Sequence, residues 1–212
     1  MAHRRDRVMI DCGADWLHHI SDVQPTAIVL THAHSDHVDG LKRGSPCVVY
    51  GTAAVWKHIG KWPVEQRRIV LPHRAVRIGD VTFEAVPVRH SLRAPAVGYR
   101  ITRGHSRIFY VPDVLEIPRR MKAFADVNLY IGDGATVRRP IQRRQGDARV
   151  GHASVSDQVD WCARAGVPRA IFTHCGTAVV ANDDAGRAIE SFGRSSGVAT
   201  SVAYDGLEIR IP

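Results

Sequence analysis

No stretch of this chain approaches the roughly 20 consecutive apolar residues that a membrane-spanning helix needs, so no membrane span is expected. The N-terminus, MAHRRDRVMIDCG, contains arginines but neither a long apolar region nor a small-residue cleavage site. It does not read as a secretory signal, and the cytoplasm is the expected compartment. Cysteine is scarce: Cys12, Cys47, Cys162 and Cys175 form no CxxC pair, which argues against a zinc finger and a dithiol redox motif. Without a secretory signal they are expected to be small buried apolar residues rather than disulfides. Aromatic residues make up only 7%. Internal repeats, heptads and low-complexity tracts are all missing, which argues against solenoids and coiled coils.

What is present suffices for a core. A chain of 212 residues with 44% hydrophobic content is expected to form one domain spanning residues 1–212. The net charge of +8 favours anionic partners.

Strand-like and helix-like segments alternate. VMID, AIVLT and CVVYG read as short buried strands, and TAAVWKHIG as a short helix with Thr52 as its N-cap. The middle is β-rich: RRIVL, AVRIGD, VTFEAVPVRH, AVGYRIT and SRIFYVPD are separated by Gly, Pro and polar turns. A helix around 119–125 precedes the strand NLYIGD. The arginine-rich stretch GATVRRPIQRRQGDARVGH reads as a long loop, of a length that is usually functional or mobile. SVSDQVDWCARAG is an amphipathic helix, RAIFTHCG a strand, DDAGRAIESFG a helix, and TSVAYDGLEIRI a hairpin around Asp205-Gly206. The expected class is α/β, with two packed sheets and helices outside.

One stretch carries the chemistry. THAHSDHVDG, Thr31 to Gly40, puts three histidines and two aspartates into ten residues at the end of a strand. His32 and His34 are two apart and point the same way off an extended backbone. Asp36 and His37 follow the turn and can face a second point nearby. Imidazole with carboxylate suits zinc, with manganese or iron as close competitors.

The HxHxDH string, His32 to His37, resembles the signature of the metallo-β-lactamase fold superfamily in its two-metal form. That resemblance implies a four-layer αββα sandwich with a dinuclear site at one edge. It also implies a later His, an Asp and a final His, each after a strand. His90 ends VTFEAVPVRH, Asp113 ends SRIFYVPD, and His174 lies in RAIFTHCG. By resemblance, His32, His34 and His90 bind one metal, Asp36, His37 and His174 bind the other, and Asp113 bridges them.

IGDGAT and VGHAS are similar to segments of the superfamily's phosphodiesterase branch. RNase Z and the cyclic phosphodiesterase of the carbon–phosphorus lyase pathway belong to that branch. The segment HSLRAPAVGYRI, from His90, also resembles the cyclic phosphodiesterase. In RNase Z-like members an acidic residue orients a histidine that protonates the leaving oxygen; Asp133 and His152 occupy the comparable places. The family's acidic residue is usually a Glu after a His, whereas here Gly132-Asp133 stands there. Asp36, His152 and Asp133 are the catalytic candidates.

The function implied is hydrolysis of a small cyclic or linear phosphodiester through a hydroxide bridging two divalent ions, with zinc expected. Arg138, Arg139, Arg143, Arg144 and Arg149 would gather the phosphate at the mouth. β-Lactam or thioester hydrolysis does not require such arginine density. The alternatives are an RNase Z-like nuclease acting on nucleic acid and a non-catalytic metal-bound binding module. Against the nuclease, no basic arm of RNase Z size is evident. Family members usually begin with a glycine-rich strand pair, but only about seven residues precede VMIDCG. Either the start is trimmed or one sheet is short at that edge; a shortened edge would need covering by a partner subunit, and a homodimer is expected by resemblance.

Overall fold

A computed structural model describes residues 6–181 and 183–211. Four short parallel strands, β1 (Val8–Ile10), β2 (Ala27–Val29), β3 (Val48–Gly51) and β4 (Arg67–Ile69), form one sheet in the order β1-β2-β3-β4. The second sheet has seven strands: β5 (Ala75–Ile78), β6 (Val81–Val88), β7 (Ala96–Arg103), β8 (Ser106–Tyr110), β9 (Leu129–Asp133), β12 (Arg169–Thr173) and β13 (Ala199–Val202). Its order is β13-β12-β9-β8-β7-β6-β5, parallel from β13 to β8 and antiparallel from there to β5.

The helices are α1 (Ile20–Val23), α2 (Ser35–Val38), α3 (Ala53–Ile59), α4 (Arg120–Ala123), α5 (Val155–Ala165), α6 (Thr177–Val180) and α7 (Asp183–Ser196). Strand alternation explains the layers, because successive side chains face opposite sides. Ala27 and Val29 of β2 pack with Phe83, Ala85, Val97 and Tyr99 between the sheets. Ile28 and Leu30 face the other way and pack with Val55 and Ile59 of α3. A strand buried on both faces needs such a continuous apolar run. On the far side, Val155, Val159 and Ile189 from α5 and α7 cover Tyr130 and Phe172 of the second sheet. The result is the αββα sandwich. The Tyr99 hydroxyl donates to the Leu30 carbonyl at 2.8 Å, tying the sheets together beside the motif.

Helix α5 begins where the sequence places it. Ser154 is its N-cap and forms a capping box with Asp157, and Gly166 closes it with φ 70°.

Two expectations fail. The arginine-rich stretch is not a long loop. It contains an antiparallel hairpin, β10 (Ile141–Gln145) and β11 (Ala148–His152), separate from both sheets. Its two-residue turn, Gly146-Asp147, has Gly146 at φ 61°, a conformation glycine adopts without steric cost. The alternation on β10 is masked because four of its five residues are exposed, so no apolar face marks it. At the C-terminus, β13 forms but residues 207–211 make no strand. Asp205-Gly206 turns the chain, yet β13 pairs with β12 in parallel and leaves no hairpin partner.

Candidate metal centre

The candidate residues come from strand ends at one edge of the sandwich. His32 and His34 follow β2, His90 follows β6, Asp113 follows β8, Asp133 ends β9, His152 ends β11 and His174 follows β12. Asp36 and His37 lie on the single turn of α2. Gly13 lets the loop after β1 approach α2: an added Cβ would stand 2.1 Å from the Asp36 carbonyl oxygen.

The donors fall into adjoining groups. His34 Nδ1 lies 2.9 Å from His32 Nε2 and 3.2 Å from His90 Nε2. Both separations are shorter than about 4.2 Å, the span of two zinc–nitrogen bonds end to end. Asp36 Oδ2 lies 3.4 Å from His37 Nε2 and 3.1 Å from His174 Nε2. Asp113 stands between the groups, with Oδ1 3.6 Å from His90 Nε2 and Oδ2 3.0 Å from His37 Nε2. His37 Nε2, Asp113 Oδ2 and His174 Nδ1 are buried with no aligned hydrogen-bond partner. Buried polar atoms are rarely left so. Convergent imidazole and carboxylate donors with orphaned atoms fit divalent cations.

Surrounding groups aim the candidate donors. His90 Nδ1 donates to the Gly151 carbonyl at 3.0 Å, leaving Nε2 free to face the cluster. His37 Nδ1 donates to Asp11 Oδ2 at 2.8 Å, and Asp11 also accepts from the Thr31 amide and hydroxyl at 2.7 and 2.8 Å. Such outer carboxylates fix the ring and raise its basicity. Asp11 and His174 are non-glycine residues with φ of 60° and 52°, strained conformations that cluster at functional sites.

Electrostatics divides the histidines. Burial pushes His32 down to about 2, and burial likewise lowers His34 and His90. Burial also opposes charge on His37, but the hydrogen bond to Asp11 and the nearby carboxylates of Asp113 and Asp36 outweigh it and push its pKa up to about 12. The bond to Asp36 raises His174. The hydrogen bond from His174 and the neighbouring His37 hold Asp36 well below the usual carboxylate range. Burial would raise Asp113, but His37 and its other histidine neighbours hold it low. The surroundings therefore favour the charged form of both carboxylates and set histidines pushed toward charge beside histidines pushed away from it.

Beside the cluster, His152 Nδ1 donates to Asp133 Oδ2 at 2.7 Å. Burial opposes its charge, yet the Asp133 bond and the charges of Asp133 and Asp113 raise its pKa. Asp133 is fully buried and also accepts from the amides of Val114 and Ala135, both at 2.9 Å.

A cavity of about 260 Å³ opens over these groups, with His34, Asp36, His90, Asp113, His152 and His174 on its wall. Of the five arginines expected at the mouth, Arg143 lines it. Arg149 lines a separate hollow with Arg89 and Glu116, and Arg138 stacks over Phe192 at 5.0 Å. A larger hollow, about 570 Å³, lies between Arg120 and Trp161, but its lining has no histidine or carboxylate.

Sequence reasoning passed over Asp11 and Gln158. The former is a carboxylate ending an apolar strand, as the candidate donors are. The latter is a polar residue on the buried face of α5. Gln158 Oε1 accepts from the Tyr130 hydroxyl and the Asp133 amide at 2.8 and 2.9 Å, and Nε2 donates to the Asp133 carbonyl at 2.7 Å.

An αββα frame with a His/Asp cluster at one sheet edge defines a protein of the metallo-β-lactamase fold. The model of the beta-lactamase superfamily domain matches residues 6–175, and the chain belongs to that family. Exodeoxyribonuclease WalJ of Streptococcus pneumoniae is 28% identical over 109 residues, 47% of this chain; the chain spans only 40% of that relative's length. Among solved structures, the metallo-β-lactamase fold protein YhfI from Bacillus subtilis superposes with a TM-score of 0.71 at 16% identity, over 94% of this chain and 85% of its own. A diphosphatase from the PhnP family gives 0.67 at 22% identity, over 94% and 77%. The short form of human tRNase Z gives 0.63 at 16% identity, over 97% and 88%.

Proposed function

We propose that residues 1–212 form a single metal-dependent hydrolase domain that cleaves a phosphodiester. His32, His34 and His90 would hold one divalent ion, Asp36, His37 and His174 a second, and Asp113 both. Histidine and carboxylate ligands favour zinc, and a site that keeps an open face is catalytic rather than structural. A bound divalent pair supplies activation of water for attack at phosphorus and neutralisation of the phosphoryl oxygens.

The chain's own residues do the rest. His152, held by Asp133 in one tautomer and raised in pKa, donates a proton to the leaving oxygen. Asp133 positions that ring and favours its charged form. The single observation that carries the reading is this His152–Asp133 bond beside the His/Asp cluster, both facing one cavity. β-Lactam hydrolysis does not call for a histidine held by a buried carboxylate on the wall of a cavity that an arginine also lines. The names of the matched diphosphatase, tRNase Z and exodeoxyribonuclease are in keeping with phosphate-ester substrates.

The test is turnover of bis(p-nitrophenyl) phosphate with added zinc or manganese, compared with a β-lactam and a thioester. Metal-dependent diester cleavage is expected. A β-lactam or thioester cleaved much faster than any diester would overturn the substrate class.

A further inference from the structure

The hollow of about 570 Å³ between α4 and α5 shares no lining residue with the metal-centre cavity. Arg119, Arg120, Met121 and Lys122 line it from the α4 segment, and Trp161 and Arg164 from α5. Trp161 and Arg164 lie about 10 and 15 Å along α5 from its Ser154 cap, so the hollow stands away from the His152 end of that helix.

Four cations thus line one space with no acidic residue on its wall. Arg164 is compensated, because it bridges Asp160 through Nε and Nη2 at 3.1 and 2.9 Å. Among the described residues, no carboxylate pairs with Arg119, Arg120 or Lys122. Arg120 lies over the Trp161 ring at 4.4 Å instead, and its Nε is buried with no hydrogen-bond partner. Arg119 holds φ 56°, a left-handed conformation uncommon for a residue with a side chain. Like charges gathered on one turn repel, and a guanidinium edge withdrawn from water without an acceptor costs free energy. Both costs fall when an anion enters.

We propose that this hollow binds an organic phosphate of mononucleotide size, at a site separate from the metal centre. Three uncompensated cations call for a ligand with more than one negative charge. A phosphate monoester carries roughly −1.5 to −2 near neutral pH, and guanidinium groups meet its oxygens with paired hydrogen bonds. The space asks for more than the phosphate. Pockets for small organic ligands span about 300–1,000 Å³ and set a few polar groups in an apolar wall. Here Trp161, Met121, which is 63% exposed, and the arginine stems supply the apolar part. The proposal uses none of the metal-centre residues, so it stands or falls apart from the phosphodiesterase reading.

The experiment is titration calorimetry of the full chain in chelator with adenosine 5′-monophosphate, adenosine and inorganic phosphate, with tryptophan emission followed in parallel. The monophosphate is expected to bind, more weakly as salt rises, and to change an emission that Trp161→Phe removes. Adenosine should not bind, and inorganic phosphate should bind about 10-fold more weakly or less. Arg120→Gln should weaken the monophosphate about 10-fold or more. Arg120 also packs on Trp161, so Arg119→Gln and Lys122→Gln, both exposed, read the charge without disturbing that contact; each should weaken binding about two- to fivefold. Arg144→Gln, exposed on the β10–β11 hairpin, should change nothing. Failure of the monophosphate to bind would overturn the proposal, as would binding that survives all three substitutions or falls equally in Arg144→Gln. Inorganic phosphate or adenosine binding as tightly as the monophosphate would overturn the assignment of an organic phosphate.

Discussion

Asp133 and His152 meet across 2.7 Å although 19 residues separate them, and the carboxylate is fully buried while the ring reaches the cavity. A carboxylate can only accept, so Nδ1 carries the proton, and in the proposed reaction Nε2 is the edge that faces the substrate. His152→Ala is expected to lower kcat by about 10²- to 10⁴-fold with the fold intact. Asp133→Asn removes the larger of the two carboxylate effects that raise the His152 pKa, leaving that of Asp113. The alkaline limb of its pH–rate profile should therefore move to lower pH. Stopped assays from pH 6 to 10 would show this, and an unshifted limb would rule out Asp133 as the orienting residue.

Asp11 holds His37 by its Nδ1, away from the cluster. Asp11→Asn should weaken zinc binding by about 10- to 100-fold, the usual cost of losing an outer carboxylate. In the native chain His37 and His174 carry raised pKa values without metal, so metal must displace protons. Titration calorimetry in buffers of different ionisation enthalpy should report net proton release at pH 7. Binding without proton release would contradict the assignment of His37 as a ligand.

The metal-free chain should be most stable near pH 6.5, the ordinary histidine value. Below it, the unfolded chain takes up protons on His32, His34 and His90 that the folded chain refuses, so stability falls with pH. Above it, the folded chain keeps protons on His37 and His174 that the unfolded chain loses, so stability falls as pH rises toward the folded pKa of His37, about 12. Below the ordinary carboxylate value of 3.8, protonation of Asp36 and Asp113 in the unfolded chain adds to the loss. Thermal melts in chelator across pH 5 to 9 test this shape; a midpoint still climbing at pH 9 would refute it.

Gln158→Leu strands the Tyr130 hydroxyl and the Asp133 amide and carbonyl in the core. Leaving buried polar groups unpaired costs about 1–3 kcal/mol each, so a loss of about 3 kcal/mol or more is expected in urea unfolding. Because the strand end it anchors carries Asp133, kcat should fall alongside. A variant as stable and as active as the native chain would show that water replaces the amide.

Much of this protein is legible locally. Strand alternation, the Thr52 and Ser154 caps and the glycine stops mark elements within a few residues, because propensity and capping act over one or two turns. The donor types are equally visible, since a polar residue at the end of an apolar strand is anomalous without a task. Convergence is another matter. Thr173 lies opposite Asp133 because β12 pairs with β9 in that register, and this brings His174 beside His152. The same kind of pairing sends Arg143 to the cavity and Arg144 away from it, though they are adjacent in the chain. Short-range chemistry in the sequence decided what the strands and the candidate donors are. Long-range register, set by how two sheets bury their shared apolar faces, decided which of them meet.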